Sequence, residues 1–270
     1  MTDLEEIPAS VSATVRGGDA APDCAKGAGR MIRGAIFDLD GTLLDSTPYW
    51  DRAPNVYLAS IGRQGRESLG QEIFHMTLPR AAEYMIAEFG LTQSPEEVAD
   101  GVNAVMRRFY LEDIPVKEGV PALLAALRGR GLPLAVASVT DRRLVEAVLR
   151  RFDLWRHFTG VVTTDDVGVG KQEPDVYLRA AALINCVPEE TLVFEDAIHA
   201  LRTANRAGFR TVGVYDEASR NRQAEMRSES EFYLRDFKNT ESFLEGIEKQ
   251  RVRPQPRTAP AAEPNPQRNR

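Results

Sequence analysis

Two carboxylates stand one residue apart in Phe37-Asp38-Leu39-Asp40-Gly41-Thr42, at the end of a short apolar run. If that run is a strand, alternate side chains share a face, and Asp38 and Asp40 point the same way. Like charges so placed repel, so the pair needs a cation, a proton or a ligand. Gly41 permits a sharp turn and lets the backbone approach whatever binds there. Farther along, Ser138 closes a second apolar run, Gly170-Lys171 lies in a loop, and Glu195-Asp196 follows another run. A hard divalent cation takes oxygens from a few carboxylates. A lysine adds a point charge, and a serine near a helix start adds a donor for an anion. Such residue types could hold an anionic group beside a cation.

The elements that must carry them are legible as alternating texture. Ile32–Phe37, Leu132–Ala137, Gly160–Thr164, Thr191–Phe194 and Arg210–Val214 are apolar without polar alternation, as strands buried on both faces are. Between the later runs lie amphipathic stretches of crossover-helix length at Val120–Arg130, Arg142–Arg151, Val176–Ile184 and Ile198–Ala207. A weaker strand at Phe232–Leu234 and a helix near Glu241–Lys249 complete the series. Repeated βα units predict an α/β fold, a doubly wound parallel sheet with its ligands at the carboxyl ends of the strands. One spacing is anomalous. Asp38 and Ser138 are 100 residues apart, whereas one crossover needs about 30. The excess, roughly 45–116, has apolar residues at three- and four-residue intervals over Pro54–Ile61, Pro79–Phe89 and Pro95–Leu111. It predicts a small α-helical cap domain inserted over the end of the first strand, between core segments 31–44 and 117–250.

The 270 residues carry a net charge of −6 and only two cysteines, Cys24 and Cys186. No apolar run reaches a membrane-spanning length, so no membrane association is expected. The few cysteines exclude a disulfide framework and favour a cytoplasmic location. The acidic balance argues against nucleic acid as a partner. Residues 1–30 lack periodicity and any secretory or mitochondrial leader pattern, and read as a disordered extension. Residues 251–270 hold five prolines, five arginines and one glutamate, and read as a disordered basic tail. Without the two ends, the body carries −8.

The motifs Asp38-Leu39-Asp40-Gly41-Thr42, Ala137-Ser138, Gly170-Lys171-Gln172-Glu173-Pro174-Asp175 and Phe194-Glu195-Asp196-Ala197 resemble those of the haloacid dehalogenase-like hydrolase superfamily. The likeness is to its phosphatase and β-phosphoglucomutase-like branch with a helical cap, and it runs from Met31 to Lys249. It implies a Rossmann-like core and a phosphomonoester hydrolase acting on a small phosphorylated metabolite. By the same likeness Asp38 would be the nucleophile that takes the phosphoryl group, and Asp40 the general acid and base. Ser138, Lys171 and Thr42 would hold phosphoryl oxygens. Asp38, Asp40 through its main-chain carbonyl, Asp196 and Glu195 would hold Mg²⁺. In the cap, Arg80 and Trp50 are candidate substrate contacts. Members of the mutase type usually carry a histidine where Trp50 stands, which favours hydrolysis over a sugar phosphomutase.

Rival readings are weaker. Gly168-Val169-Gly170-Lys171 is no nucleotide P-loop, because Gln172 follows the lysine where Ser or Thr is required. His75, His157 and His199 have no metal-ligand spacing, and Cys186 has no cationic neighbours in sequence. A phospho-accepting receiver domain shares the residue types but has no place for a 70-residue insertion. A monomer or weak dimer is expected.

Overall fold

A computed structural model describes residues 31–73 and 76–251. The expected extension over 1–30, the tail beyond Arg251, Cys24 and His75 lie outside the described residues. Six strands form one sheet: β1 (Gly34–Phe37), β2 (Leu134–Ser138), β3 (Gly160–Thr163), β4 (Thr191–Glu195), β5 (Arg210–Val214) and β6 (Phe232–Leu234). Their spatial order is β3-β2-β1-β4-β5-β6, and every neighbouring pair is parallel. The strands are almost wholly buried, which is why they read as continuous apolar runs. Chain order reverses between β1 and β4, so a crevice opens at their carboxyl ends. The register pairs Phe37 with both Val136 and Phe194. Asp38, Ser138 and Glu195 thus emerge near one level.

Helices cover both faces. Ile36, Ala137 and Val193 pack with Tyr177, Ala180 and Ala204 on one side, where α8 (Asp175–Leu183) and α9 (Ile198–Arg206) lie. On the other, Phe37 stacks on Phe194 with ring centroids 4.1 Å apart. That cluster takes in α5 (Val120–Gly129), α6 (Arg142–Arg151) and α11 (Glu241–Arg251). Two short helices, α7 (Thr164–Val167) and α10 (Gln223–Glu229), escape a sequence reading because they are too short to show a period.

Between β1 and α5 the described residues form four further helices, α1 (Thr47–Ser60), α2 (Leu69–Ile73), α3 (Leu78–Phe89) and α4 (Pro95–Glu112). The sequence places the start of α1 at Pro54, but the helix begins seven residues earlier with Pro48 in its first turn. Pro54 is accommodated inside it, where Ala53, Pro54, Tyr57 and Leu58 are buried and their packing offsets the missing N–H bond. Ser94 and Glu97 close a capping box on α4, and Val98, Val102, Met106, Phe109 and Tyr110 form its buried face. Gly70 lets α2 approach α1 closely, because a Cβ there would lie 2.1 Å from the Asp51 carbonyl oxygen.

Two linkers join this helical unit to the sheet, and they pair with each other. Leu44 bridges Val116, Asp45 N donates to Pro115 O at 3.0 Å, and Lys117 N donates to Leu43 O at 2.9 Å. Lys117 Nζ then donates to Asp216 Oδ2 at 2.9 Å and to Tyr215 O at 2.8 Å, and Thr47 Oγ1 donates to Asp216 Oδ1 at 2.8 Å. Both linkers are therefore tied to the loop after β5. Among the described residues no helix is long and apolar enough to cross a membrane.

Candidate active site

At the end of β1, Asp38 is buried, and its backbone N–H still bonds Phe194 O at 3.0 Å. Its carboxylate accepts from Lys171 Nζ, which also donates to Glu195 Oε1 at 2.6 Å. Tyr177, from α8, donates its hydroxyl to the same Glu195 oxygen at 2.7 Å. Oxygens of Asp38, Glu195 and Asp196 lie within 4.8 Å of one another, with Asp38 and Glu195 buried and Asp196 half-buried. Gly41 makes this crowding feasible. Its φ is +79°, and a Cβ there would sit 2.4 Å from Asp196 Oδ2.

One cation among three carboxylates leaves the cluster short of positive charge. Burial alone would weaken the Lys171 ammonium, but Asp38 and Glu195 outweigh it and hold its proton more tightly than usual. Burial, aided by Asp38, pushes Glu195 up to about 7 against the pull of Lys171. Burial, Asp38 and Glu195 push Asp196 well above the ordinary carboxylate range. Carboxylates so destabilised as anions, with only oxygen donors, fit a hard divalent cation.

Asp40 lives in a different environment. Tyr110, from α4, donates to Oδ1 at 2.6 Å, and Thr140 donates to Oδ2 at 2.7 Å. Burial and then Asp38 raise its proton affinity, while these two hydroxyls and that of Ser46 pull it back. The adjacent carboxylates have thus been separated by partner: Asp38 faces the cation, and Asp40 faces hydroxyls of α4 and the β2 loop.

The remaining sequence-predicted residues divide. Ser138 is fully buried at the end of β2, where its Oγ accepts from Thr140 N at 3.0 Å. Thr42, expected to hold phosphate, donates its hydroxyl to Asp196 Oδ1 at 3.1 Å. Trp50 lines the cavity beside Asp40. Arg80 does not reach that cavity: its side chain is 72% exposed and pairs with Glu83 at 2.8 Å. The reason is helical phase, because α3 turns Ala81, Ala82 and Met85 inward and leaves position 80 on its outer side.

Tyr110, Thr140, Tyr177 and the Lys117–Asp216 pair are absent from the sequence reading. Thr140 had a signal, since it stands two residues after Ser138. Tyr110 and Tyr177 had none, because a tyrosine on a buried helical stripe reads as core.

Comparison with known proteins agrees with this geometry. A model of the haloacid dehalogenase-like hydrolases matches residues 32–208. The chain is 29% identical over 181 residues to a phosphorylated carbohydrates phosphatase of Thermotoga maritima, covering 67% of this chain and 84% of that one. It is 29% identical over 197 residues to hexitol phosphatase B of Escherichia coli K12, covering 68% and 84%. A crystal structure of a Thermotoga maritima protein provisionally described as a beta-phosphoglucomutase superposes with a TM-score of 0.70 at 26% identity, over 81% of this chain and 99% of that one. The chain therefore belongs to the haloacid dehalogenase-like hydrolase family and is an enzyme of its phosphatase and phosphomutase kind.

Proposed function

We propose that the protein is a Mg²⁺-dependent phosphatase that hydrolyses a small phosphomonoester metabolite through a phosphoryl-Asp38 intermediate. The observation that carries this reading is the separation of the two neighbouring carboxylates. Asp38 lies against Lys171 among the buried carboxylates, while Asp40 is held by Tyr110 and Thr140 at the cavity. In the first step an Asp38 oxygen attacks phosphorus, the bond from phosphorus to the alcohol oxygen breaks, and protonated Asp40 gives that oxygen its proton. In the second, Asp40 takes a proton from water as the water oxygen attacks phosphorus, and the Asp38 carboxylate leaves. Burial of Asp40 beside Asp38 favours the protonated form that the first step needs. Lys171 offsets negative charge on the transferring group, and Ser138, at the end of β2, offers a hydroxyl to a phosphoryl oxygen. Asp38, Asp196, the Asp40 main-chain carbonyl and Glu195 are the ligand set for Mg²⁺, which when bound would neutralise charge on the phosphoryl oxygens. The α1–α4 unit would serve as the cap that excludes bulk water.

Asp38→Asn tests the reading with p-nitrophenyl phosphate and Mg²⁺. Turnover should fall by about 10³-fold or more, and substantial residual turnover would overturn it. A sugar phosphomutase is the second reading, favoured by the structural likeness to the Thermotoga protein. Incubation with β-glucose 1-phosphate separates the two: a phosphatase liberates phosphate, and a mutase yields glucose 6-phosphate. The receiver-type alternative is set aside by the family match.

A further inference from the structure

Beside Asp40 and Asp196, the helical unit and the strand ends enclose a cavity of about 390 Å³, a size typical of small-molecule sites. Trp50, Pro54, Ile73, Met76, Leu78 and Val102 form its walls. Apart from Met76, they come from α1, α2, α3 and α4. At Thr47 and Ala218 it adjoins a second compartment of about 420 Å³. That compartment carries Asp51 and Glu217, and its Arg220 is held by Glu217 at 3.0 Å.

We propose that the alcohol released by this enzyme is uncharged and presents an apolar or aromatic face. The substrate is then a phosphomonoester whose only anionic group is the phosphate being transferred. The inference rests on the phosphatase reading and narrows it to a substrate class.

Three features converge on that class. A second phosphate or carboxylate would lose its water against apolar walls, an uncompensated cost. Among the described residues lining the chamber none is Lys, Arg or His, so none of them offers a second anion a positive partner. The Trp50 indole and the Met76 thioether offer polarisable surface against which a ring can lie. The Ser46 hydroxyl, 1% exposed, also lines the chamber beside Asp40.

Calorimetry with full-length Asp38→Asn and Mg²⁺ reads binding without requiring turnover. Phenyl phosphate and a nucleoside 5′-monophosphate are compared with phosphoglycolate and fructose 1,6-bisphosphate. The first pair should bind about tenfold tighter or more. In the same background, Trp50→Ala should erode that preference. Leu78→Lys, which adds a cation at a half-buried wall position, should shift it toward phosphoglycolate. Equal or tighter binding of the doubly anionic compounds, no binding by any compound, or a ratio unmoved by either substitution would overturn the inference. Wild-type phosphate release is measured in parallel. Failure to turn over any compound, with the binding preference intact, would sink the phosphatase reading alone.

Discussion

At the residue scale, two chemically identical side chains have been given different neighbours. Asp38 shares Lys171 with Glu195, whereas Asp40 receives two hydroxyl donors. A hydrogen bond to an ionised group contributes about 1.5–3 kcal/mol. Tyr110→Phe removes one of these two donors while nearly conserving volume. It should lower kcat roughly 10- to 100-fold and leave KM for p-nitrophenyl phosphate little changed. A variant with wild-type kcat would show that Thr140 alone positions Asp40. Steady-state kinetics on the purified variant, with its fold checked by circular dichroism, decides between these.

At the scale of elements, the helical unit is held in two ways. Near the sheet, Lys117 and Thr47 converge on Asp216, which is 2% exposed. Lys117→Met leaves that carboxylate buried with a hydroxyl and a backbone N–H as its remaining partners. Breaking such a pair from one side costs about 3–5 kcal/mol. The urea midpoint should therefore fall with an unchanged slope. Within the unit, Arg66, Ser68 and Tyr84 bond Glu72 and hold its carboxyl at about 2, below the ordinary 4.5. A carboxyl lowered on folding contributes stability above its unfolded value, and that contribution disappears as pH falls through the folded value. The stability difference between wild type and Glu72→Gln should thus be constant above about pH 5 and shrink toward pH 2. Urea titrations of both proteins across that range provide the check, and a difference that grew on acidification would contradict the assigned bonds.

Across the whole molecule, a chain of net charge −6 must gather three carboxylates and then accept a phosphate dianion. The raised proton affinities of Glu195 and Asp196 are the local consequence of that crowding. A divalent cation relieves it, and a ligand at a hundredfold its Kd stabilises the native state by about 2.7 kcal/mol. For a folded body of this size, saturating Mg²⁺ should raise Tm by about 5–10 °C. Asp196→Ala should abolish most of the rise. Thermal scans of both proteins in Mg²⁺ and in EDTA measure it, and an equal rise in the variant would place the cation elsewhere.

Much of this is local information. The strands are visible because burial on both faces makes them uninterrupted apolar runs, and Asp38, Ser138 and Glu195 are placed by standing at the ends of such runs. The 100-residue interval from Asp38 to Ser138 likewise announces an insertion before any packing is known. What the sequence by itself determined is therefore the doubly wound order of elements and the residues at their carboxyl ends. The tertiary structure alone decided which side chains meet. It brings Tyr110 to Asp40 across 70 positions, turns Thr42 to Asp196, and faces Arg80 away from the cavity. It also assembles the apolar chamber from separate helices. The reason is physical: strand periodicity and turn chemistry are encoded by neighbours in the chain. The rotation and crossing of one helix over another depend on the summed packing of residues far apart, and no local pattern records that sum.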